Sequence, residues 1–126
     1  MTSKLLGGLR ILVLEDEFLI AMDVEYLCLE HGAATVAIAS NLADAPTAFD
    51  FDAAIVDLML GGQSTLDFAS ELQKRSIPFV FASGYGDREE LTRRFPGVSV
   101  VTKPYAGNDL MEALAAAAAR PSLSRQ

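Results

Sequence analysis

The sequence contains one cysteine, one histidine and no apolar run long enough to cross a lipid bilayer. Cys28 cannot form an internal disulfide, and its position in an apolar helical pattern indicates buried packing. The first ten residues lack the apolar stretch and the cleavage site of a secretory signal. We therefore expect a cytoplasmic protein that does not associate with a membrane.

Basic residues are scarce. Ten Lys and Arg face seventeen Asp and Glu, which gives a formal net charge of −7 and a sequence pI of about 4.5. The basic residues are scattered, whereas a nucleic-acid surface needs a basic stripe that neutralises phosphates. The composition instead favours a protein that docks on other proteins or gathers acidic groups around a cation.

The chain has 126 residues, of which 51% are hydrophobic, so it can bury a core without metal or disulfide support. We expect a single domain, residues 1–126, with its core at about 9–119 and flexible ends. Apolar segments predict strands at residues 9–14, 33–39, 53–56, 78–82 and 98–101. Helical patterns follow them, over 18–30, from 40 or 41 to 49, from 64 or 65 to 75, over 87–95, and from 108 or 109 to 119. This alternation predicts an α/β fold, a doubly wound parallel sheet with helices on both faces, but not its strand order.

Polar residues stand where four of these strands end. They are Glu15 and Asp16, then Asp57, Ser83 and Lys103. Parallel strands place their carboxyl ends on one rim of the sheet, so these groups should converge. Three neighbouring carboxylates repel one another unless a cation lies among them, and Mg²⁺ is the hard ion that oxygen ligands suit best. With the lysine and the hydroxyl, the set fits a phosphoryl group, and Asp57 is a legitimate nucleophile for its transfer.

Each part of this set also has an ordinary structural explanation. The acidic pair could be a favourable helix start, Asp57 a strand terminus, Ser83–Gly84 a turn, and the Lys-Pro pair a solvated loop. The coincidence of four strand ends in one alternating fold favours the functional interpretation. Other candidates are given structural roles, with a solvated helix end for His31 and loop packing for Tyr85 and Tyr105.

Four motifs in these positions resemble the receiver domain of bacterial two-component response regulators. They are Leu12–Glu17, Ala54–Leu58, Phe81–Gly84 and Val101–Pro104. The resemblance spans about residues 9–119 and implies a five-stranded sheet in the flavodoxin-like order 2-1-3-4-5. The stretch from residue 78 to 86 further resembles single-domain receivers with a Phe-Ala-Thr-Gly-type motif, in which Ser83 takes the place of the usual threonine.

The resemblance implies that Asp57 is the phosphoacceptor. It also implies that Asp16, Asp57 and the backbone carbonyl of Met59 ligate Mg²⁺ (or Mn²⁺), with Glu15 acting through a bound water.

The remaining implied roles concern the phosphoryl group. Lys103 would pair with Asp57 at rest and with the phosphoryl group afterwards, and Pro104 would hold the lysine in a cis-type Lys-Pro turn. Ser83 would swing toward a phosphoryl oxygen, and Gly84 would leave room for it.

The sequence departs from the family pattern at three places. Val100 stands where an aromatic switch residue is common, so Tyr85 or Tyr105 would have to replace it. Gly61 stands in place of the usual proline, which predicts a looser loop. Met59 and Tyr85 are bulky where a hydrolytic water would approach the acyl phosphate.

The resemblance therefore predicts a phosphorelay receiver rather than an enzyme, one that only accepts and loses its own phosphate. It would take the phosphoryl group from a histidine kinase or a phosphotransfer protein. It would then signal to an unknown downstream protein through the face of its fourth helix, fifth strand and fifth helix. We expect a monomer or weak dimer that binds no nucleic acid. The alternatives are a phosphorylation-independent interaction module with the same fold and, with no further carboxylate as general acid, a less favoured phosphohydrolase.

Overall fold

The computed structural model describes residues 5–84, 87–103 and 107–119. Its five-stranded sheet comprises β1 (Arg10–Leu14), β2 (Thr35–Ala39), β3 (Ala53–Asp57), β4 (Phe79–Ser83) and β5 (Val100–Thr102). The helices are α1 (Phe18–Glu30), α2 (Leu66–Lys74), α3 (Arg88–Arg94) and α4 (Gly107–Ala119). None of the described helices is long and apolar enough to cross a membrane.

All neighbouring strands of this sheet are parallel, in the order β2-β1-β3-β4-β5. This confirms the predicted α/β class and the flavodoxin-like order 2-1-3-4-5. Every residue of β3 is buried, as is every residue of β4, because these strands lie inside the sheet and are covered on both faces. Helices connect β1 to β2, β3 to β4 and β4 to β5, whereas β2 and β3 are joined by a segment without an α-helix. Because neighbouring strands are parallel, all five deliver their carboxyl ends to the same rim.

Alternate residues of the strands feed two hydrophobic cores, one on each face of the sheet. The core beneath α1 and α4 is built from side chains that include Ile11, Val13, Val24, Cys28, Ile55, Val80, Leu110 and Leu114. The core beneath α2 and α3 includes Leu12, Leu14, Val56, Leu72, Phe79, Phe81, Leu91 and Phe95. The thiol of Cys28 is fully buried, as its place in the helical pattern predicted.

The second predicted helix, from residue 40 or 41 to 49, is wrong. The structure has only a 3-10 turn, Leu42–Asp44, whose first turn is capped by Asn41 Oδ1 accepting from the Asp44 amide at 2.9 Å. Ala45 has an extended backbone, with φ −65° and ψ 143°. Pro46 forces this conformation on the residue before it, so the helix cannot continue.

The ordered structure begins earlier than the predicted boundary at residue 9. Leu6 is completely buried, and its amide donates to the carbonyl of His31 at 2.9 Å. The Gly8 amide donates to the carbonyl of Gly32, also at 2.9 Å, so this lead is fastened to the end of α1. His31 is therefore half-buried rather than solvated. The predicted flexible C-terminal end, beyond residue 119, lies outside the described residues.

Candidate functional site

Strand register brings the predicted site residues to one rim. Asp57 is the last residue of β3 and pairs in register with Ala82, directly before Ser83 at the end of β4. Backbone hydrogen bonds continue past the strand ends. The Glu15 amide donates to Ala39 at 3.1 Å, and the Lys103 amide donates to Ser83 at 2.8 Å. The rim is therefore an extension of the sheet, and the side chains on it are positioned by rigid backbone.

Three carboxylates lie together on this rim. One oxygen from each of Glu15, Asp16 and Asp57 lies within 4.8 Å of the other two. Glu15 and Asp57 are 3% and 8% exposed, whereas Asp16 is open to solvent. Carboxylate oxygens from two buried groups and one exposed group are the hard donors that Mg²⁺ prefers, and the opening at Asp16 leaves room for ligand waters. The residues present therefore fit the predicted magnesium site.

Lys103 bridges two of the carboxylates. Its Nζ lies 2.8 Å from Asp57 Oδ2 and 2.9 Å from Glu15 Oε1, and its side chain is only 19% exposed. Burial acts to lower the pKa of the Lys103 ammonium, but the hydrogen bonds to Asp57 and Glu15 and the charges of these carboxylates together outweigh it, so the pKa lies above the usual value. The lysine is therefore held charged and oriented toward the predicted phosphoacceptor.

The pKa of Asp57 lies above its ordinary value. Burial is the main cause, because it disfavours the charged form, and the nearby charges of Glu15 and Asp16 add to it. The hydrogen bond and the charge of Lys103 pull the pKa down without reversing the shift. One ammonium thus faces three carboxylates, and the excess negative charge is what a bound cation would relieve.

The acidic groups differ in how their oxygens are engaged. Glu15 Oε2 accepts the Glu17 amide at 3.0 Å, while its Oε1 contacts Lys103. Asp16 Oδ2 accepts the Gly61 amide at 3.0 Å. Among the described residues, no hydrogen bond reaches Asp57 Oδ1, since Lys103 contacts Oδ2. Asp57 therefore keeps one oxygen available for chemistry.

Ser83 and Gly84 occupy the places that the sequence predicted. Ser83 is fully buried at the end of β4, with its Oγ 3.3 Å from the Gly84 carbonyl oxygen. Gly84 is exposed, and among the described residues a Cβ there would meet only Asp87 Oδ2, at 3.9 Å. The predicted roles of Pro104, Tyr85 and Tyr105 lie outside the described residues.

Val100, at the predicted aromatic switch position, is a core residue. It is 6% exposed, pairs in register with Phe81 and packs in the core beneath α2 and α3. Three aromatic residues of that core, Phe79, Phe81 and Phe95, contact one another edge to face with ring centroids 5.2 to 6.2 Å apart. Val100 therefore packs in the same core as aromatic residues from β4 and from the end of α3.

The segment after Asp57 forms a β-hairpin that the sequence interpretation missed. Met59–Leu60 pairs antiparallel with Gln63–Ser64 across Gly61 and Gly62, whose φ angles are +58° and +81°. Two residues with positive φ match the tight turn that a Gly-Gly pair favours, and this pair was the available signal. The predicted loop is thus ordered, and its Gly61 amide binds the acidic cluster directly.

Comparisons with known proteins add the fold family. No protein-family model matches the chain, and no curated protein matches it. It is similar in structure to the N-terminal signal receiver domain of a response regulator from Bacteroides fragilis, with a TM-score of 0.78, 22% identity, and coverage of 91% of this chain and 99% of that one. For a putative response regulator from Chloroflexus aurantiacus the TM-score is 0.78, with 20% identity and 90% and 100% of the two chains covered.

The response regulator PhyR from Brucella abortus is 28% identical, with a TM-score of 0.73. That match covers 90% of this chain but 50% of PhyR, so the similarity concerns half of that protein. All three matches span about nine-tenths of the present chain. Sheet order, rim and comparisons agree that the chain has the receiver-domain fold of two-component response regulators.

Proposed function

We propose that this protein is a phosphoryl-accepting receiver of a two-component phosphorelay, phosphorylated on Asp57 in a Mg²⁺-dependent step. The observation that carries the proposal is the placement of Asp57, which is buried among two further carboxylates with Lys103 Nζ 2.8 Å from its Oδ2. A half-buried ammonium beside a crowded acidic cluster stabilises negative charge that arrives with a phosphoryl group. A turn or a helix cap requires no such arrangement.

The proposed step uses Asp57 Oδ1, the oxygen that no hydrogen bond from the described residues reaches. Oδ1 attacks the phosphorus of a phosphohistidine, the P–N bond breaks, and the imidazole nitrogen keeps the electron pair and takes up a proton. The product on this chain is a mixed anhydride, an aspartyl phosphate. Lys103, already charged and oriented, stabilises the phosphoryl oxygens, and the Ser83 hydroxyl is the next donor along the rim.

Glu15, Asp16 and Asp57, with the predicted help of the Met59 carbonyl, would hold the metal. When bound, Mg²⁺ supplies positive charge that offsets the repulsion between the carboxylates and the phosphoryl oxygens. Mn²⁺ accepts the same oxygen ligands. Return to the resting state is hydrolysis, in which water attacks phosphorus and releases inorganic phosphate, so the chain turns over only its own modification.

The outer face of α1 supports a phosphodonor protein as the partner. Its exposed apolar residues are Phe18, Leu19, Met22, Tyr26 and Leu29, of which Phe18 and Leu19 are 72% and 79% exposed. The last four recur at intervals of three and four residues, which places them in one stripe along the helix. This stripe starts three residues after Asp16, at the phosphoacceptor rim, so a histidine kinase or phosphotransfer protein seated on it would reach Asp57.

The signal to the downstream protein is proposed to pass through the other side of the site. Lys103 follows β5, and Arg88 Nη1 at the start of α3 donates to the Val100 carbonyl at 3.0 Å, which joins α3 to the strand. A phosphoryl group that recruits Lys103 and Ser83 would bias the packing of the face formed by α3, β5 and α4. These are the predicted fourth helix, fifth strand and fifth helix, renumbered because the predicted second helix is absent, and this face is the predicted docking surface for the downstream protein. The reducing cytoplasm is the compartment that such a relay, with its single free thiol, suits.

The deciding experiment is phosphorylation by acetyl phosphate and by candidate histidine kinases, read as a mobility shift on Phos-tag gels with and without Mg²⁺. We expect a shift that requires Mg²⁺ and disappears in Asp57→Asn. Asp52→Asn is the matched control, because Asp52 lies at the opposite end of β3 and pairs with Arg10. A shift that persists in Asp57→Asn, or no shift in the wild type with any donor, would contradict the proposal.

A second function, a phosphorylation-independent interaction module, is favoured by one observation. Val100 is a small core residue, so it cannot perform the inward rotation of an aromatic ring that couples such sites to their output face. Partner affinity measured on unmodified and phosphorylated protein separates the two functions. A change in affinity supports the receiver, and identical affinities support the module.

A further inference from the structure

Thr65 occupies an unusual hydrogen-bonding position behind the phosphoacceptor. Its side chain is fully buried, and its Oγ1 lies 2.6 Å from the carbonyl oxygen of Asp57 and 2.9 Å from that of Leu58. The Thr65 amide also donates to the Leu58 carbonyl, at 3.0 Å. Thr65 thus binds the backbone carbonyls of both Asp57 and Leu58.

This arrangement departs from the usual role of a threonine at a helix start. Thr65 is the N-cap residue of α2, where its oxygen would ordinarily accept an amide from the first turn. The Thr65 side chain makes no capping hydrogen bond, and Ser64 Oγ instead accepts the Leu66 amide at 3.2 Å. The hydroxyl of Thr65 is consequently turned backwards, and it donates its single proton to the end of β3.

Two elements hold the Asp57–Leu58 segment from opposite sides. The Leu58 amide donates to the Ala82 carbonyl of β4 at 3.2 Å, while Thr65 binds the carbonyls on its other edge. A β-branched side chain has few χ1 rotamers, so the position of its hydroxyl is well defined. The peptide planes on either side of Leu58 are therefore fixed, and they set the direction of the Asp57 carboxylate and the location of the Met59 backbone.

We propose that Thr65 is a positioning residue for the phosphoacceptor and its cation, acting through the Asp57 and Leu58 carbonyls. The proposal rests on the proposed function, because it takes Asp57 as the phosphoacceptor and the acidic cluster as the Mg²⁺ site. Groups that orient metal ligands through hydrogen bonds commonly contribute about tenfold or more to metal affinity. The hydroxyl, rather than the bulk of the side chain, is the part that should matter.

The test compares Thr65→Val, which keeps the shape and loses the hydroxyl, with Thr65→Ser, which keeps the hydroxyl. Mg²⁺ affinity is measured by titration followed in ¹⁵N-¹H NMR spectra, and the acetyl phosphate rate is measured at saturating Mg²⁺. We expect Thr65→Val to weaken Mg²⁺ binding about tenfold and to slow phosphorylation, with Thr65→Ser close to wild type. Leu72→Ala is the control, because it opens a cavity under the other end of α2 without touching the rim.

The outcomes separate the inference from the proposed function. Thr65→Val with wild-type Mg²⁺ affinity and phosphorylation rate would overturn the positioning role while leaving Asp57 as phosphoacceptor. Equal losses in Thr65→Val, Thr65→Ser and Leu72→Ala would also overturn it, since destabilisation alone would then account for the effect. A folded wild-type chain that binds no Mg²⁺ and accepts no phosphate would overturn the proposed function, and the inference with it.

Discussion

Neutralising Asp57 should stabilise the resting protein. At an effective dielectric constant of about 20, the 2.8 Å contact with Lys103 attracts the Asp57 charge by about 6 kcal/mol. A carboxylate oxygen of Glu15 within 4.8 Å repels it by at least about 3.5 kcal/mol, and solvent-exposed Asp16 adds a smaller repulsion. Attraction and repulsion nearly cancel, so the cost of burying the Asp57 charge decides whether that charge stabilises or destabilises the folded protein. For Asp57→Asn we expect a gain in unfolding free energy on the order of 1 kcal/mol at pH 7.

The pH dependence of this stability gain follows from the raised pKa of Asp57. Below the unfolded-state pKa of about 3.9 the carboxyl is protonated in both states, so its contribution to stability is fully present. As the pH rises through the higher folded-state pKa, the folded protein must ionise a buried group and that contribution is lost. The advantage of Asp57→Asn should therefore be absent near pH 3 and largest at neutral pH.

The assay is thermal and urea unfolding followed by circular dichroism, in EDTA and then in Mg²⁺. A gain of this size raises Tm by about 3 to 5 °C in a domain of this length. Added Mg²⁺ should stabilise the wild type more than the variant and reduce the difference in Tm between them. The matched control is Asp52→Asn, expected to destabilise, because hydrogen bonds from Arg10 hold the pKa of the Asp52 carboxyl below its usual value. An Asp57→Asn protein less stable than wild type at pH 7 in EDTA would refute the reasoning.

Other expectations concern single residues. Burial raises the pKa of the Cys28 thiol to about 12, so the folded chain should react with Ellman's reagent at pH 8 only after denaturant is added. Rapid labelling in native buffer would contradict this. Leu19→Asp on the exposed face of α1 should slow phosphotransfer from a cognate kinase about tenfold without changing the rate from acetyl phosphate. The control is Ala116→Asp on exposed α4 surface, and equal loss with both donors would count against α1 docking. Met59 is 47% exposed beside the site, and Met59→Asn should speed loss of the aspartyl phosphate by admitting water. An unchanged decay would remove the shielding role.

Much of the fold could be predicted because the pattern of apolar residues responds to burial directly. Residues 53–57 are apolar without alternation up to Asp57, and the structure makes them a strand covered on both faces. The wrong prediction of a helix up to residue 49 also has a local cause, because Pro46 prevents a helix from continuing through the residue before it. Leu6 was missed for the opposite reason. Leu6 follows Leu5 and precedes two glycines, a segment too short to show a period, and only its packing in the core with Val24 and Cys28 of α1 makes it a core residue.

The sequence by itself determined which chemical groups reach the rim, because parallel strands must deliver their last residues to the same edge. Asp57, Glu15 and Lys103 are therefore identifiable as rim residues from the sequence alone. The tertiary structure alone decided which atoms of these groups contact one another. It decided that one ammonium bridges two carboxylates, that Gly61 binds Asp16, and that the Thr65 hydroxyl turns toward Asp57 rather than capping α2. These choices depend on distances of a few tenths of an ångström between segments far apart in sequence, and no local pattern encodes them.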